Sequence, residues 1–186
     1  MKLLLVVLCV LPLLALVLAP REGSGAGPAL SLSSPAFGRN APIPARHTCE
    51  GEDVSPALSF GGAPAGTRSF ALVVDDPDAP DPKAPKMTWV HWVLYDIPAS
   101  ATGLPEAVSP KALPAGTREG RNDWKRTGWG GPCPPIGTHR YFFKLYALDA
   151  VLGDLREPTK AALEKAMVGH VLQKAELVGT YRKAGR

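Results

Sequence analysis

The chain of 186 residues carries 21 lysine and arginine residues against 17 aspartate and glutamate residues, a formal net charge of +4. This excess is small and the basic residues are scattered, so the composition gives no indication of nucleic-acid binding. The 20 prolines and 19 glycines lie mainly between short apolar segments, a pattern typical of strands joined by turns.

The first 19 residues differ from the rest of the chain. A basic start at Lys2 is followed by an almost entirely apolar run to Ala19. This is the form of a secretory signal peptide, although the run approaches the length of an uncleaved membrane anchor. Residues 20–29 are rich in glycine and predict a flexible linker. We therefore expect one domain over residues 30–186, periplasmic or secreted after cleavage and membrane-anchored without it.

Six short segments with apolar runs, bounded by turn residues, predict strands. They are Ala29–Ser33, Ala57–Phe60, Ser69–Asp75, Thr88–Ile97, Arg140–Leu148 and Glu176–Arg182. Proline-rich loops at Asp76–Lys86 and Thr127–Thr138 separate some of them. The pattern predicts a mainly-β domain, either a sandwich or a barrel.

One segment, Thr159–Ala175, has helical periodicity. Apolar residues recur at every fourth position from Leu163, and Pro158 suits the start of a helix. The pattern predicts a single helix over the whole range. Gly169 would then lie inside the helix, and we interpret it as a site of close packing against a neighbouring element.

Two cysteines, Cys49 and Cys133, remain once the leader is excluded. Exported proteins meet an oxidising compartment, in which paired cysteines tend to be bridged. Neither cysteine has a second ligand at the spacing of a zinc site. The sequence therefore predicts a disulfide between them.

Histidines lie next to aromatic residues on two of the predicted strands. Alternate residues of a strand share a face, so Trp89 lies beside His91 and His139 lies beside Tyr141. A lone histidine in a strand is more often a core residue. The aromatic neighbours favour the wall of a pocket with an apolar floor and few polar groups.

Two stiff loops would form the rim of this pocket. Asp76 directly follows an apolar strand and precedes several prolines, and Pro134 and Pro135 restrict the second loop. An isolated acidic turn is more often simply solvated. Arg140 lies on the opposite face of its strand from the histidine before it, and we expect it to pair with an acid such as Asp78.

These loops resemble the two signatures of the phosphatidylethanolamine-binding family, also called Raf-kinase-inhibitor-like proteins. Residues 76–80 resemble the first signature, and residues 131–141 resemble the second in its bacterial form. Residues 47–56 and Gly169-His170 also resemble the bacterial branch, and the resemblance extends from about Leu30 to Tyr181. It implies a Greek-key β-sandwich with a few peripheral helices.

The resemblance also implies a small pocket for phosphate-type anions or phospholipid head groups, and relatives include inhibitors of kinases and proteases. The family's pocket residues map onto Asp76, Trp89, His91, Pro134, Pro135, His139 and Tyr141. We expect His91 and His139 to donate hydrogen bonds to the anion, and Asp76 to orient a histidine. Affinity should then rise as the pH falls through the ordinary histidine range near 6.5.

The alternative is a hydrolase or metalloenzyme. Asp76, His91 and His139 could act as acid and base, or as a two-histidine-one-carboxylate metal site. The sequence contains no Gly-x-Ser-x-Gly elbow, HExxH motif or phosphate-cradling loop. We therefore expect a binding module that is not an enzyme, without metal or cofactor. Its expected partners are a small phosphorylated or anionic ligand, an unidentified kinase or protease, and membrane only through the leader or lipid head groups.

Overall fold

The computed structural model describes residues 29–184 and contains two antiparallel sheets. The strands are β1 (Ser31–Ser33), β2 (Leu58–Gly61), β3 (Ser69–Asp76), β4 (Trp89–Pro98), β5 (Gly103–Leu104), β6 (Arg118–Glu119), β7 (His139–Leu148) and β8 (Val171–Tyr181). One α-helix, α1, spans Lys160–Ala166, and short 3-10 turns span Ala45–His47 and Pro110–Ala112. The expected mainly-β fold with few helices is confirmed.

The sheets have the strand orders β1-β2-β5 and β6-β4-β3-β7-β8, so β3 lies at the centre of the larger sheet. Every residue of β3 is buried because both of its faces are covered. Phe70, Leu72 and Val74 face the smaller sheet, where they join a core that includes Leu58 and Phe60. This shared core makes the two sheets a sandwich.

The other face of β3 carries Ala71 and Val73, which pack in a second apolar cluster with Leu163 and Met167 from the α1 region. A strand that is covered on both faces has a continuous apolar sequence rather than one that alternates between apolar and polar residues. The uninterrupted run from Phe70 to Val74 therefore follows from this three-layer arrangement of sheet, sheet and helix.

The prediction of one helix over Thr159–Ala175 is wrong beyond Ala166. The helix begins as expected, and the Thr159 hydroxyl accepts a hydrogen bond from the Ala162 amide at 3.3 Å. It ends because Gly169 has a φ of +82°, in the left-handed region that typically terminates helices. The chain then enters β8, which pairs with β7 from Val171, opposite Leu148, to Tyr181, opposite His139.

The packing interpretation of Gly169 is also wrong, because a Cβ placed there would meet no atom within 4 Å. The apolar stripe on which the helix prediction depended is not buried along its length: Leu163 and Met167 are buried, whereas Val168 is 76% and Val171 44% accessible. Pairing with β7 therefore outweighs the local periodicity. The expected strand over Glu176–Arg182 is correspondingly only the second part of β8.

The predicted leader over residues 1–19 and most of the predicted linker over residues 20–29 lie outside the described residues. Within residues 29–184, no helix is long and apolar enough to cross a membrane.

Candidate functional site

A cavity of about 440 Å³ lies where β3 ends and where β4 and β7 begin. This volume is in the range of small-molecule sites. All seven side chains predicted from the sequence line it: Asp76, Trp89, His91, Pro134, Pro135, His139 and Tyr141. Six further residues complete the wall: Ala79, Pro80, Lys86, Met87, Trp124 and Cys133.

Strand pairing brings these distant segments together. Asp76 is the last residue of β3 and lies opposite Trp89, the first residue of β4. β7 begins at His139 on the other side of β3. Because alternate residues of a strand share a face, the residue two positions further along each strand, His91 or Tyr141, also reaches the cavity.

The two adjacent aspartates at the end of β3 have different roles because they lie on opposite faces. Asp75 is fully buried and accepts hydrogen bonds from Lys144 Nζ on both carboxylate oxygens, each at 2.7 Å. Lys160 Nζ lies 3.5 Å from the same carboxylate. Asp75 is thus a paired structural charge, and Asp76 is the aspartate that faces the cavity.

Asp76 and His139 form a closed pair in the cavity wall. The Asp76 Oδ2 and His139 Nδ1 atoms are 2.7 Å apart, and Asp76 Oδ1 accepts a hydrogen bond from the Asp78 amide at 2.8 Å. Burial raises the pKa of Asp76, whereas the hydrogen bonds from His139 and Asp78 oppose that rise. The expectation that Asp76 orients a histidine agrees with this contact.

The other nitrogen of His139, Nε2, lies 3.0 Å from the carbonyl oxygen of Ile136. A carbonyl can only accept, so Nε2 carries a hydrogen and one further proton is shared between Nδ1 and Asp76. The pair therefore has no net charge in either arrangement of that proton. Both nitrogens of His139 are occupied, so the expected donation from His139 to a ligand does not fit this geometry.

His91 differs from His139 because only one of its two ring nitrogens has a hydrogen-bond partner among the described residues. Its Nδ1 lies 2.6 Å from the carbonyl oxygen of Gly130 and so donates its hydrogen there. Its Nε2 is buried and has no hydrogen-bond partner within residues 29–184. Burial lowers the pKa of His91 from 6.5 to about 4, so the ring is neutral at neutral pH. Nε2 therefore offers a lone pair, and the expected donation from His91, with a pH dependence near 6.5, does not fit this arrangement.

Tyr141 supplies the hydroxyl group of the site. Its side chain is 1% exposed, and its hydroxyl oxygen has no partner among the described residues. Burial raises the pKa of Tyr141, so the hydroxyl keeps its proton at neutral pH and can donate. The ring stands edge-on to His91, with the ring centres 5.1 Å apart.

Trp124 is a wall residue that the sequence reasoning missed. Its ring contacts His91 and Trp89 edge-on, at centre-to-centre distances of 5.2 and 5.4 Å. Asn122 fixes this loop, accepting a hydrogen bond from the Trp124 amide at 3.0 Å and donating one to the Gly128 carbonyl at 3.0 Å. The sequence feature that could have identified Trp124 is a large aromatic side chain in an otherwise polar loop, because such a side chain is usually largely buried.

The two rim loops are held by specific contacts. Arg140 Nε and Nη2 donate to the carboxylate of Asp78 at 2.9 and 2.7 Å, which confirms the predicted pair and lowers the pKa of Asp78. The second loop is joined to residue 49 by the predicted disulfide: Cys49 and Cys133 are bonded, with Cα atoms 5.4 Å apart. The Ala79–Pro80 peptide bond is cis.

The metal-site alternative has no geometric support in residues 29–184, where no three His, Cys, Asp or Glu side chains are grouped to hold a metal ion. A more open groove of about 610 Å³ lies near Arg118, Arg121 and Arg156. Its cations are partly neutralised, since Arg121 pairs with Glu157 at 3.0 Å. The cavity at Asp76 is therefore the better candidate for a small-ligand site.

The fold is a β-sandwich, and the cavity at the end of its larger sheet is the candidate small-ligand site. Residues 33–182 match the family model for phosphatidylethanolamine-binding protein, and the chain belongs to this family. A UPF0098 protein of Methanothermobacter thermautotrophicus is 47% identical over 155 residues, covering 83% of this chain and 99% of the relative. A UPF0098 protein of Chlamydia pneumoniae is 41% identical over 155 residues, with coverages of 83% and 100%.

Two solved structures resemble the chain over most of its length. A phosphatidylethanolamine-binding protein homologue from Chlamydia trachomatis has a TM-score of 0.77 and 39% identity, covering 84% of this chain and 99% of its own. E. coli YbcL, described as a member of the mammalian family, has a TM-score of 0.75 and 32% identity, with coverages of 83% and 99%.

Proposed function

We propose that this protein is an exported binding module whose cavity holds the phosphate-type group of a small ligand or lipid head group. The supporting observation is an aromatic cavity with two buried polar atoms that lack a hydrogen-bond partner in the described part of the chain, the Tyr141 hydroxyl and His91 Nε2. Buried polar groups normally have hydrogen-bond partners, and an unpaired group in a cavity indicates a place for a ligand. Family membership supports the same type of function.

In this proposal the Tyr141 hydroxyl donates to a phosphoryl oxygen. Lys86, an exposed cation of the wall, compensates the negative charge. The apolar part of the ligand packs against the edges of Trp89 and Trp124. Few charge-assisted contacts are available, so we expect weak binding of small free ligands.

We further propose that the site binds without catalysing a reaction. The sulfur of Cys133, a nucleophile candidate in the wall, is bonded to Cys49. His139 is bound on both nitrogens and is not available to transfer a ligand proton. No contact among the described residues favours inhibition of a kinase or protease over simple ligand binding.

Calorimetry with phosphoethanolamine tests the binding proposal. Tyr141→Phe should weaken binding at least about tenfold, because a hydrogen bond to a charged group contributes about 1.5–3 kcal/mol. Tyr146→Phe is the matched control, since Tyr146 lies on the same strand but does not line the cavity. Equal affinity in the parent and Tyr141→Phe proteins, or no binding by the parent, would contradict the proposal.

Export is the second part of the proposal. It is supported by the leader sequence and by the Cys49–Cys133 disulfide, because such bonds persist mainly outside the cytoplasm. Cell fractionation of the full-length protein should recover it in the periplasm or medium. Recovery in the membrane fraction would favour an uncleaved anchor, and recovery in the cytosol would exclude export.

A further inference from the structure

The hydrogen-bonding groups of the cavity require a particular ligand chemistry. We propose that the site selects a phosphomonoester group in its singly protonated form, whose P–OH donates to His91 Nε2 while a phosphoryl oxygen accepts from Tyr141. This inference rests on the proposed function and specifies the ligand class.

The first step concerns His91, whose side chain is 2% exposed. Its hydrogen is committed to the Gly130 carbonyl at 2.6 Å, so Nε2 can only accept while the ring is neutral. The ring is held between Trp124 and Tyr141, at centre-to-centre distances of 5.2 and 5.1 Å. The lone pair on Nε2 is therefore a fixed feature of the wall.

The second step concerns the other polar groups of the wall. Asp76 and His139 satisfy each other and the nearby backbone, and their pair has no net charge. Pro134 and Pro135 have no amide hydrogen to donate. The ligand group that reaches the buried wall must therefore both accept from Tyr141 and donate to His91.

A phosphomonoester can meet both requirements with one group. Its monoanion carries a hydroxyl and free oxygens, and its second pKa is about 6. The dianion has acceptors only and would leave an acceptor facing the His91 lone pair, which costs the penalty of an unsatisfied buried group. A phosphodiester is singly charged but has no P–OH, so it lacks the donor as well.

The charged and titratable groups around His91 come from four parts of the chain. Asp123 belongs to the loop after β6, Asp76 ends β3, and His139 and Tyr141 lie on β7. Lys86 is in the loop before β4. The expected change in binding affinity between pH 5 and 8 comes from titration of the ligand, because methyl phosphate loses its P–OH proton in this interval.

The test compares methyl phosphate with dimethyl phosphate by calorimetry on the parent protein. Methyl phosphate should bind about 100-fold more weakly at pH 8 than at pH 5, following its monoanion fraction. Dimethyl phosphate should bind at least about tenfold more weakly than methyl phosphate at pH 5, for want of one charge-assisted hydrogen bond, and should show little pH dependence. His91→Phe, which removes the acceptor, should flatten the methyl phosphate profile and reduce the difference between the esters.

The outcomes separate this inference from the proposed function. Two results would overturn the inference but not the proposed phosphate-type site. One is methyl phosphate affinity that is constant or higher at pH 8, and the other is equal affinity for both esters. Absence of binding by any phosphate ester at any pH would overturn both. Binding of glycerol 3-phosphate, or of phosphatidic acid vesicles in preference to phosphatidylglycerol vesicles, supports the inference and identifies a soluble or a lipid source.

Discussion

Replacing both Cys49 and Cys133 by serine should lower the free energy of unfolding by about 4 kcal/mol. The bond joins residues 84 positions apart in the sequence, so breaking it releases a long closed loop in the unfolded chain. The loop contains β2 to β6 and hence most of the smaller sheet. Urea denaturation of the oxidised parent and the double variant measures this loss.

The control for this prediction is a reducing agent. It should destabilise the parent by a similar amount and leave the double serine variant unchanged, because only the parent has a bond to lose. A thiol assay on denatured, unreduced parent should find neither Cys49 nor Cys133 free. Equal stability of the oxidised and reduced parent would show that the bond does not contribute as described.

Acidification from pH 7 to pH 4 should destabilise the protein by about 3 kcal/mol through His91 alone, at 1.36 kcal/mol per pH unit. The pKa of His91 is lowered from 6.5 to about 4 by burial. Between these values the unfolded state binds the proton and the folded state does not. The loss therefore begins as the pH falls below about 6.5 and is complete near pH 4.

Urea denaturation at several pH values tests this effect. His91→Phe cannot take up the proton in either state, so its stability should fall by about 3 kcal/mol less than that of the parent over the same interval. His170→Gln is the control, because His170 is 47% exposed and pairs with Asp149 away from the cavity. Parallel pH profiles for the parent and His91→Phe would show that His91 is not held neutral by the fold.

The sequence predicts the central strands well because they depend on simple periodicity, and the family resemblance adds the full set of residues expected to line the cavity. Ser69–Asp76 is a continuous buried run, and alternation along β4 and β7 places His91 and Tyr141 on the cavity side. Prolines in the adjoining loops restrict where those loops can go. All seven predicted wall residues therefore meet around one cavity.

Other features depend on contacts that no local pattern contains. The run from Leu163 to Ala175 has helical spacing, yet Gly169 ends the helix and pairing with β7 makes Val171 part of a strand. The proton positions of the two histidines are set by the carbonyl groups of Gly130 and Ile136, which only the folded chain brings into contact. This is why the sequence alone assigned both histidines as donors.

A crystal structure of the protein with phosphoethanolamine at pH 5 tests the central claim most directly. The phosphoryl group should lie in the cavity, with one oxygen within hydrogen-bonding distance of the Tyr141 hydroxyl and another within that distance of His91 Nε2. Asp76 and His139 should keep their mutual hydrogen bond. A phosphoryl group bound instead at the groove beside Arg118 and Arg121, or a cavity that stays without ligand at saturating concentration, would contradict the proposed site.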